Sequence, residues 1–283
     1  MHLLSILCLL GAGSLSASCA HRSMSAEPAT IPYDGPLWVA PAKGVPLHED
    51  PGAAGQVVNC HFKPIGATNP SPYNTGEVGD SANDALRLAV KESQFDGIVD
   101  DLVVAKDEPG RRLYVYQHGG RNYQAAVFHE GPAAPGTGVD ADGIAWWLES
   151  SARCDIAEFP DQIAEDRGWE IWTDQVGQRQ PIHVINSHSG TDCVRGARFL
   201  EIGDGQPAGE APTQYVANAE KFPEFFDERY RLHLQLPSDA VASPYHHGSE
   251  RLWFSPDLQR AYVGTDPRDV ALWPRTTQHL GCA

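Results

Sequence analysis

Residues 113–128 read LYVYQHGGRNYQAAVF, and this stretch decides the fold. Two runs rich in aromatic and β-branched residues flank the pair Gly119 and Gly120. Glycine reaches the positive φ angles that a tight hairpin turn requires, and such flanking runs are typical of paired strands. The stretch therefore predicts an antiparallel β-hairpin with Gly119 and Gly120 at its turn.

The alternation of strand, turn and strand recurs later in the chain. The segment 170–185 predicts a second hairpin, and the segment 252–263 predicts a third. The apolar run 144–148 predicts a buried strand between the first two hairpins, and 270–273 predicts a last strand. The chain is thus expected to form mostly antiparallel hairpins and meanders.

One segment, at about residues 80–95, has the pattern of a main helix. Ser81 and Asp84 are typical of a helix start, and alanine and leucine residues follow at helical spacing. The other predicted helices, such as 161–166, are short. The predicted fold class is therefore α+β, with mostly antiparallel pairing, one main helix and stabilising disulfides.

Composition limits the class of protein and of partner. The 283 residues, 41% of them hydrophobic, suffice for one large domain or two small ones. Asp and Glu number 37 against 21 Lys and Arg, which gives a net charge of −16. Because a chain of this sign repels phosphate backbones, we expect no nucleic-acid partner.

The N-terminal segment predicts export. Residues 3–18 read LLSILCLLGAGSLSAS, and we interpret 1–19 as a signal peptide. Small residues before Cys19 are similar to a bacterial lipoprotein processing site, although Ser16 stands where that pattern has an aliphatic residue. Cleavage without lipidation is the alternative. A lipidated chain would face outward from the cell membrane, held only by its anchor, and otherwise it would be secreted.

The rest of the chain divides by composition. Residues 20–56 are rich in proline and predict a linker or arm, in which the patch 37–39 (Leu-Trp-Val) is suited to docking on the body. We expect an α+β subdomain over 57–152 and a β-rich subdomain over 153–283. One continuous domain over 57–283 is the alternative.

Six cysteines fit an exported, disulfide-stabilised protein. Cys8 and Cys19 belong to the leader. The four others allow three pairings, and we expect the nested one, Cys154–Cys193 with Cys60–Cys282. This pairing would link the two ends of the folded body and restrict the conformations of the unfolded chain.

Residues 140–143 read DADG, the best candidate for a metal site. Asp140, Asp142 and Glu149 fit positions 3, 5 and 12 of a calcium loop, but Gly138 stands at position 1 where such loops have Asp. A tight turn with solvated acids explains the same residues. We therefore assign the calcium set as a candidate only, and predict no cofactor.

The histidines, serines and tryptophans give no catalytic set. Ser187 and Ser189 flank His188 but lack the turn motif of a serine nucleophile. Among seven tryptophans, adjacent Trp146 and Trp147 must face opposite sides of a strand. Packing explains the tryptophans, whereas exported proteins that hold sugars also present aromatic rings on a sheet.

Several short motifs carry a resemblance that runs from about residue 76 to the C-terminus. They are 154–160 (CDIAEFP), 171–174 (IWTD), 252–257 (LWFSPD), 261–263 (AYV) and the ending 273–283. With these motifs the chain resembles a group of uncharacterised exported actinobacterial proteins, for which no activity is implied. We expect an envelope-anchored module that binds an unknown ligand or envelope component without catalysis. A secreted hydrolase of envelope polymers and a purely structural surface protein are the alternatives.

Overall fold

The computed structural model describes residues 33–70, 78–91, 97–99, 101–133, 143–189, 196–203, 212–218, 223–226, 228–278 and 280. The predicted leader 1–19, with Cys19, lies outside the described residues, and so do Asp140, Asp142, Cys193 and Cys282. No helix within the described ranges is both long enough and apolar enough to cross a membrane.

The first sheet is antiparallel and is built around the hairpin of residues 113–128. Its strands are β1 (Ile65–Thr68), β2 (Val78–Gly79), β3 (Val103–Glu108), β4 (Arg111–His118), β5 (Arg121–Pro132) and β6 (Ile144–Arg153). They lie in the order β1-β6-β5-β4-β3, and β2 also pairs with β6. Gly119 and Gly120 have φ angles of 55° and 80° at the β4–β5 turn, so the first predicted hairpin is confirmed.

Two further antiparallel sheets follow. The second contains β7 (Trp169–Glu170), β8 (Ile185–Ser189), β9 (Arg198–Ile202) and β10 (Thr213–Ala217), in the order β10-β9-β8-β7. The third contains β11 (Arg231–Leu234), β12 (Val241–His247), β13 (Glu250–Phe254), β14 (Arg260–Asp266) and β15 (Asp269–Pro274), in the order β11-β15-β14-β13-β12. The pair β13–β14 confirms the third hairpin. The second hairpin is confirmed only near its turn, where Thr173 bridges to Arg179, because residues 182–184 form a turn instead of a strand and β7 pairs with β8 beyond them.

Helices are few, and the described ones are α1 (Gly52–Gly55), α2 (Ala82–Lys91) and α3 (Asp161–Asp166). Short 3₁₀ turns occupy Leu47–Glu49, Ile156–Glu158 and Pro223–Phe225. At the start of α2, the Asp84 N–H donates to the Ser81 hydroxyl oxygen at 3.1 Å, as the capping pattern predicts.

The fold class is β-rich, which corrects the expectation of an α+β fold with one main helix. Strands take 45% of the described residues and helices 14%, so sheets rather than helices bury most of the core. The physical reason is the small size of α2, which contributes only the buried side chains Ala82, Ala85 and Ala89.

The first sheet is covered on both faces. On one face, Leu113, Val115 and Val127 pack with Leu37 of the arm and with α1. This cluster also contains Ile156, Phe159 and Ala164, beyond the predicted boundary at 152/153. The other face packs against α2.

The second and third sheets bury a shared core of aromatic and aliphatic side chains. Its largest members are Trp172, Tyr215 and Trp273, and Leu200 and Leu252 pack among them. This single cluster is drawn from both sheets and so holds them together.

The disulfide corrects both predicted pairings. Cys60 is bonded to Cys154, so neither Cys154–Cys193 nor Cys60–Cys282 forms. The bond links the segment before β1 to the end of β6, two places that the sheet already brings together. The Glu158 carboxylate lies beside it, where Phe62 N–H and Arg121 donate to its oxygens, so this group serves as structure rather than as a metal site.

Candidate functional site

An irregularity in β6 gathers polar side chains on the arm-facing side of the first sheet. Val127 of β5 pairs with Ser150, and Phe128 pairs with Leu148, which leaves Glu149 as an extra residue opposite no partner. Such a β-bulge redirects side chains locally. Arg111 of β4, His129 of β5 and Trp147 of β6 lie side by side in the adjoining row.

Arg111 and Glu149 form a two-point ion pair on this face. Arg111 Nε donates to Glu149 Oε2 at 2.8 Å, and Arg111 Nη2 donates to Oε1 at 2.9 Å. Glu149 is only 5% exposed, and this planar geometry is the strongest that a guanidinium makes with a carboxylate. The pair sums to zero charge and is rigid.

His129 completes the polar group. Its ring lies 4.7 Å from that of Trp147, and its Nδ1 lies 3.1 Å from Glu149 Oε1. That approach lacks the orientation of a hydrogen bond, so Nδ1 has no hydrogen-bond partner among the described residues. Burial lowers the pKa of His129 below its ordinary value of 6.5, outweighing the opposing effect of Glu149, and His129 is therefore neutral at pH 7.

The arm forms the opposite wall. Leu37 is 2% exposed and packs in the core, whereas its neighbour Trp38 is 53% exposed. Asp50 fixes the end of the arm, since its carboxylate accepts from Ala42 N–H at 2.6 Å and from Gly52 N–H at 3.0 Å. The predicted docking of the patch 37–39 is thus seen, with Leu37 inward and Trp38 outward.

Between arm and sheet lies a recess of ≈180 Å³, which we call the arm recess. Its apolar side is lined by Trp38, Val39, Pro41, Ala53 and Pro70, and its polar side by Thr68, Arg111, His129, Glu149 and Ser150, with Gly52 between them. Gly52 has a φ of +52°, and a Cβ there would lie 2.6 Å from the Thr68 hydroxyl. Glycine is therefore required where α1 meets the floor of the recess.

The predicted calcium set is not brought together among the described residues. Asp140 and Asp142 lie outside them, and both Glu149 oxygens already accept from Arg111. A calcium ion at Glu149 would have to displace this guanidinium. Glu149 therefore belongs to the arm recess as an ion-pair partner of Arg111, whereas the calcium role of Asp140 and Asp142 stays a prediction.

The predicted serine and histidine motif does not form a nucleophilic site. The Ser187 hydroxyl is fully buried, accepts from Trp172 Nε1 at 2.9 Å and donates to Glu170. His188 follows it on the strand and faces the other way, where its Nε2 lies 3.6 Å from Glu201 Oε1. Ser187 is thus a structural hydroxyl.

Glu201 is the centre of a second polar cluster. Gln214 Nε2 donates to its Oε1 at 3.0 Å, and Asn186 Nδ2 donates to its Oε2 at 3.4 Å. Burial opposes ionisation, but His188 and these amides lower the pKa of Glu201 to about 2. The cluster links three strands of the second sheet.

The adjacent histidines on β12 also separate, as their spacing predicts. His246 approaches the Thr173 hydroxyl at 2.9 Å, and His247 lies 3.6 Å from Glu250. A wider, open hollow of ≈620 Å³ lies beside His246 where β12 bulges away from β13. Its charged and polar rim includes Arg251 and Ser249, both exposed.

The sequence did not identify Arg111 and His129 as site residues, since neither belongs to a recognisable motif. Trp38 was found only as part of a docking patch, and Glu149 only as a calcium ligand. The signal that would have found them is the register of the β4–β5 hairpin, which sets Arg111 opposite His129.

Comparisons of this chain with known protein families, with curated proteins and with solved structures found no match.

Proposed function

We propose that this chain is an exported, lipid-anchored module of the cell envelope that binds a small polar ligand in the arm recess. The single observation behind this proposal is the recess itself, which is lined by both a half-buried Arg111–Glu149 pair and an exposed Trp38. A few fixed polar groups opposite an apolar wall are the usual composition of a small-molecule site.

The hydroxyl groups of the recess support binding rather than a covalent step. Thr68 donates to the carbonyl of Asp50 at 2.7 Å, and Ser150 accepts from Ala54 N–H at 3.3 Å. A nucleophilic hydroxyl needs a base as its partner. Both hydroxyls are instead held by the backbone, which suits groups that position a ligand.

The proposed anchor would keep the recess near the membrane. Cys19 precedes Trp38 by nineteen residues, and an extended chain spans at most ~3.4 Å per residue, or about 65 Å in all. The resemblance to exported actinobacterial proteins supports the same location. We infer that the ligand is a component of the envelope within this distance.

Membrane retention tests the anchor. We expect the wild-type chain, expressed in an actinobacterial host, to fractionate with membranes, and Cys19→Ala to be released into the medium. Cys8→Ala, within the leader core, is the matched control and is expected to keep the chain on the membrane. Equal retention of Cys19→Ala and wild type would refute the lipid anchor.

A further inference from the structure

We propose that the ligand of the arm recess is a neutral sugar, bound through one ring. This inference rests on the proposed binding function and adds the chemical class of the ligand.

The wall presents an aromatic face to the ligand. Trp38 lines the recess and remains exposed although its neighbour Leu37 is fixed in the core, so its indole is open to a ligand. An aromatic face carries partial negative charge and attracts the weakly positive C–H groups of a sugar ring. Val39, Pro41 and Pro70 extend this apolar wall.

The opposite side offers donors and acceptors together. Arg111 uses Nε and Nη2 for Glu149, and the other N–H groups of its guanidinium can donate to a ligand. His129 also lines the recess, with its side chain 25% exposed, and Thr68 and Ser150 add hydroxyl groups. A sugar hydroxyl both donates and accepts, so neighbouring hydroxyls of one ring match this mixed set.

Charge balance favours a neutral ligand. The positive charge of Arg111 and the negative charge of Glu149 cancel, and His129 is neutral. Asp50, behind the arm, adds a buried carboxylate, and the whole chain carries −16, which disfavours an anion. A cation finds no free carboxylate in the pair either, because Arg111 occupies both oxygens of Glu149, which leaves a neutral polyhydroxyl compound as the best match.

Size limits the ligand to one ring. A volume of ≈180 Å³ corresponds to that of about six water molecules at ~30 Å³ each. One pyranose ring fills such a space, and a second ring would lie outside it. We therefore expect recognition of a monosaccharide or of the terminal ring of a longer glycan.

The test uses three sugars that differ by one group: glucose, glucuronate and glucosamine. Galactose, mannose, arabinose and N-acetylglucosamine complete the neutral panel. Binding to the purified full chain is measured by isothermal titration and by tryptophan fluorescence. We expect at least one neutral sugar to bind. The Kd values of glucuronate and glucosamine should be at least about tenfold higher than the Kd of glucose, or than that of whichever neutral sugar binds.

The variant Trp38→Ala removes the aromatic wall and is expected to raise the Kd of the bound sugar about tenfold, because one aromatic contact of this kind is lost. Trp38 is exposed, so the variant should fold. Ile144→Ala, at another exposed apolar side chain, is the matched control and should bind as wild type does.

The outcomes separate the two proposals. Trp38-dependent binding of a charged sugar in preference to every neutral one would overturn the neutral-sugar inference and leave the recess as a binding site. Binding of nothing in the panel would overturn the sugar inference alone and leave the recess as a site for another small polar ligand. Binding that is unchanged by Trp38→Ala would place the sugar elsewhere and overturn the proposed role of the recess as well.

Discussion

Arg198 of β9 donates from Nη2 to Oε2 of Glu250 in β13, at 2.8 Å, and so joins the second sheet to the third. The same guanidinium donates from Nε to Glu170 at 2.8 Å and lies 4.9 Å above the ring of Trp273. One arginine therefore connects two carboxylates and an aromatic ring at the junction of two sheets. Arginine suits this place because its planar group hydrogen-bonds and stacks at once.

Removing the charge of Glu250 should weaken the junction. We expect Glu250→Gln to lower the free energy of unfolding by about 1–2 kcal/mol, because a hydrogen bond between charged groups is lost while Glu170 still holds Arg198. Urea denaturation measures the change. Glu108→Gln, which breaks an exposed ion pair with Lys106, is the matched control and should change stability by less than ~0.5 kcal/mol. Equal effects of the two substitutions would contradict a special role for the junction.

Acid should destabilise the protein in a defined range of pH. His247 and Arg198 lower the pKa of Glu250 from 4.5 to about 2 against the effect of burial, and the pKa of Glu201 is also about 2. Since these values lie below those of the unfolded chain, both carboxylates stabilise the fold above pH 4.5, and this contribution is lost as the pH falls towards 2.

The measurement is the free energy of unfolding across this range. We expect it to decline from pH 4.5 to pH 2 in the wild type, and to decline less steeply in Glu250→Gln, which cannot titrate at that position. Identical slopes for the two proteins would show that Glu250 has the same pKa in both states.

The sequence was sufficient for the strands of the first and third hairpins and insufficient for their register. A two-residue turn at Gly119 and Gly120 pairs His118 with Arg121, and an unbroken ladder from there would set Arg111 opposite Phe128. A bulge between Tyr116 and Gln117 shifts the pairing by one residue, so that Arg111 meets His129. Because one residue of slip reverses which face a side chain occupies, the arm recess could not be predicted from the pattern alone.

The expected contribution of helix to the fold was too large for a related reason. The segment at about 80–95 has a strong helical pattern, but its inward side chains are alanines, which bury little surface. The larger core side chains, such as Trp172 and Trp273, come from strands. The local sequence pattern predicts where a helix forms, whereas the surface that this helix buries in the core depends on which side chains pack against it.

The arm should contribute to stability through Leu37 and hardly at all through Trp38. We expect Leu37→Ala to lower the free energy of unfolding by about 2–4 kcal/mol, since a fully buried leucine leaves a cavity in the core. Trp38→Ala should cost less than ~0.5 kcal/mol because the ring is exposed. Urea denaturation of both variants is the measurement. A large loss of stability in Trp38→Ala would mean that the ring packs against the protein and is not available to a ligand.

The Cys60–Cys154 bond closes a loop of 94 residues. Its removal should lower the free energy of unfolding by an amount that depends on this loop length. The chain-entropy relation gives about 4–5 kcal/mol for a loop of this length, so Cys60→Ser should lower the unfolding midpoint in urea by a corresponding amount. Non-reducing peptide mapping should recover one linked peptide that contains Cys60 and Cys154. Cys193→Ser is the control and should leave that peptide intact. Recovery of Cys154 linked to Cys193 would restore the nested pairing and contradict the bond at the end of β6.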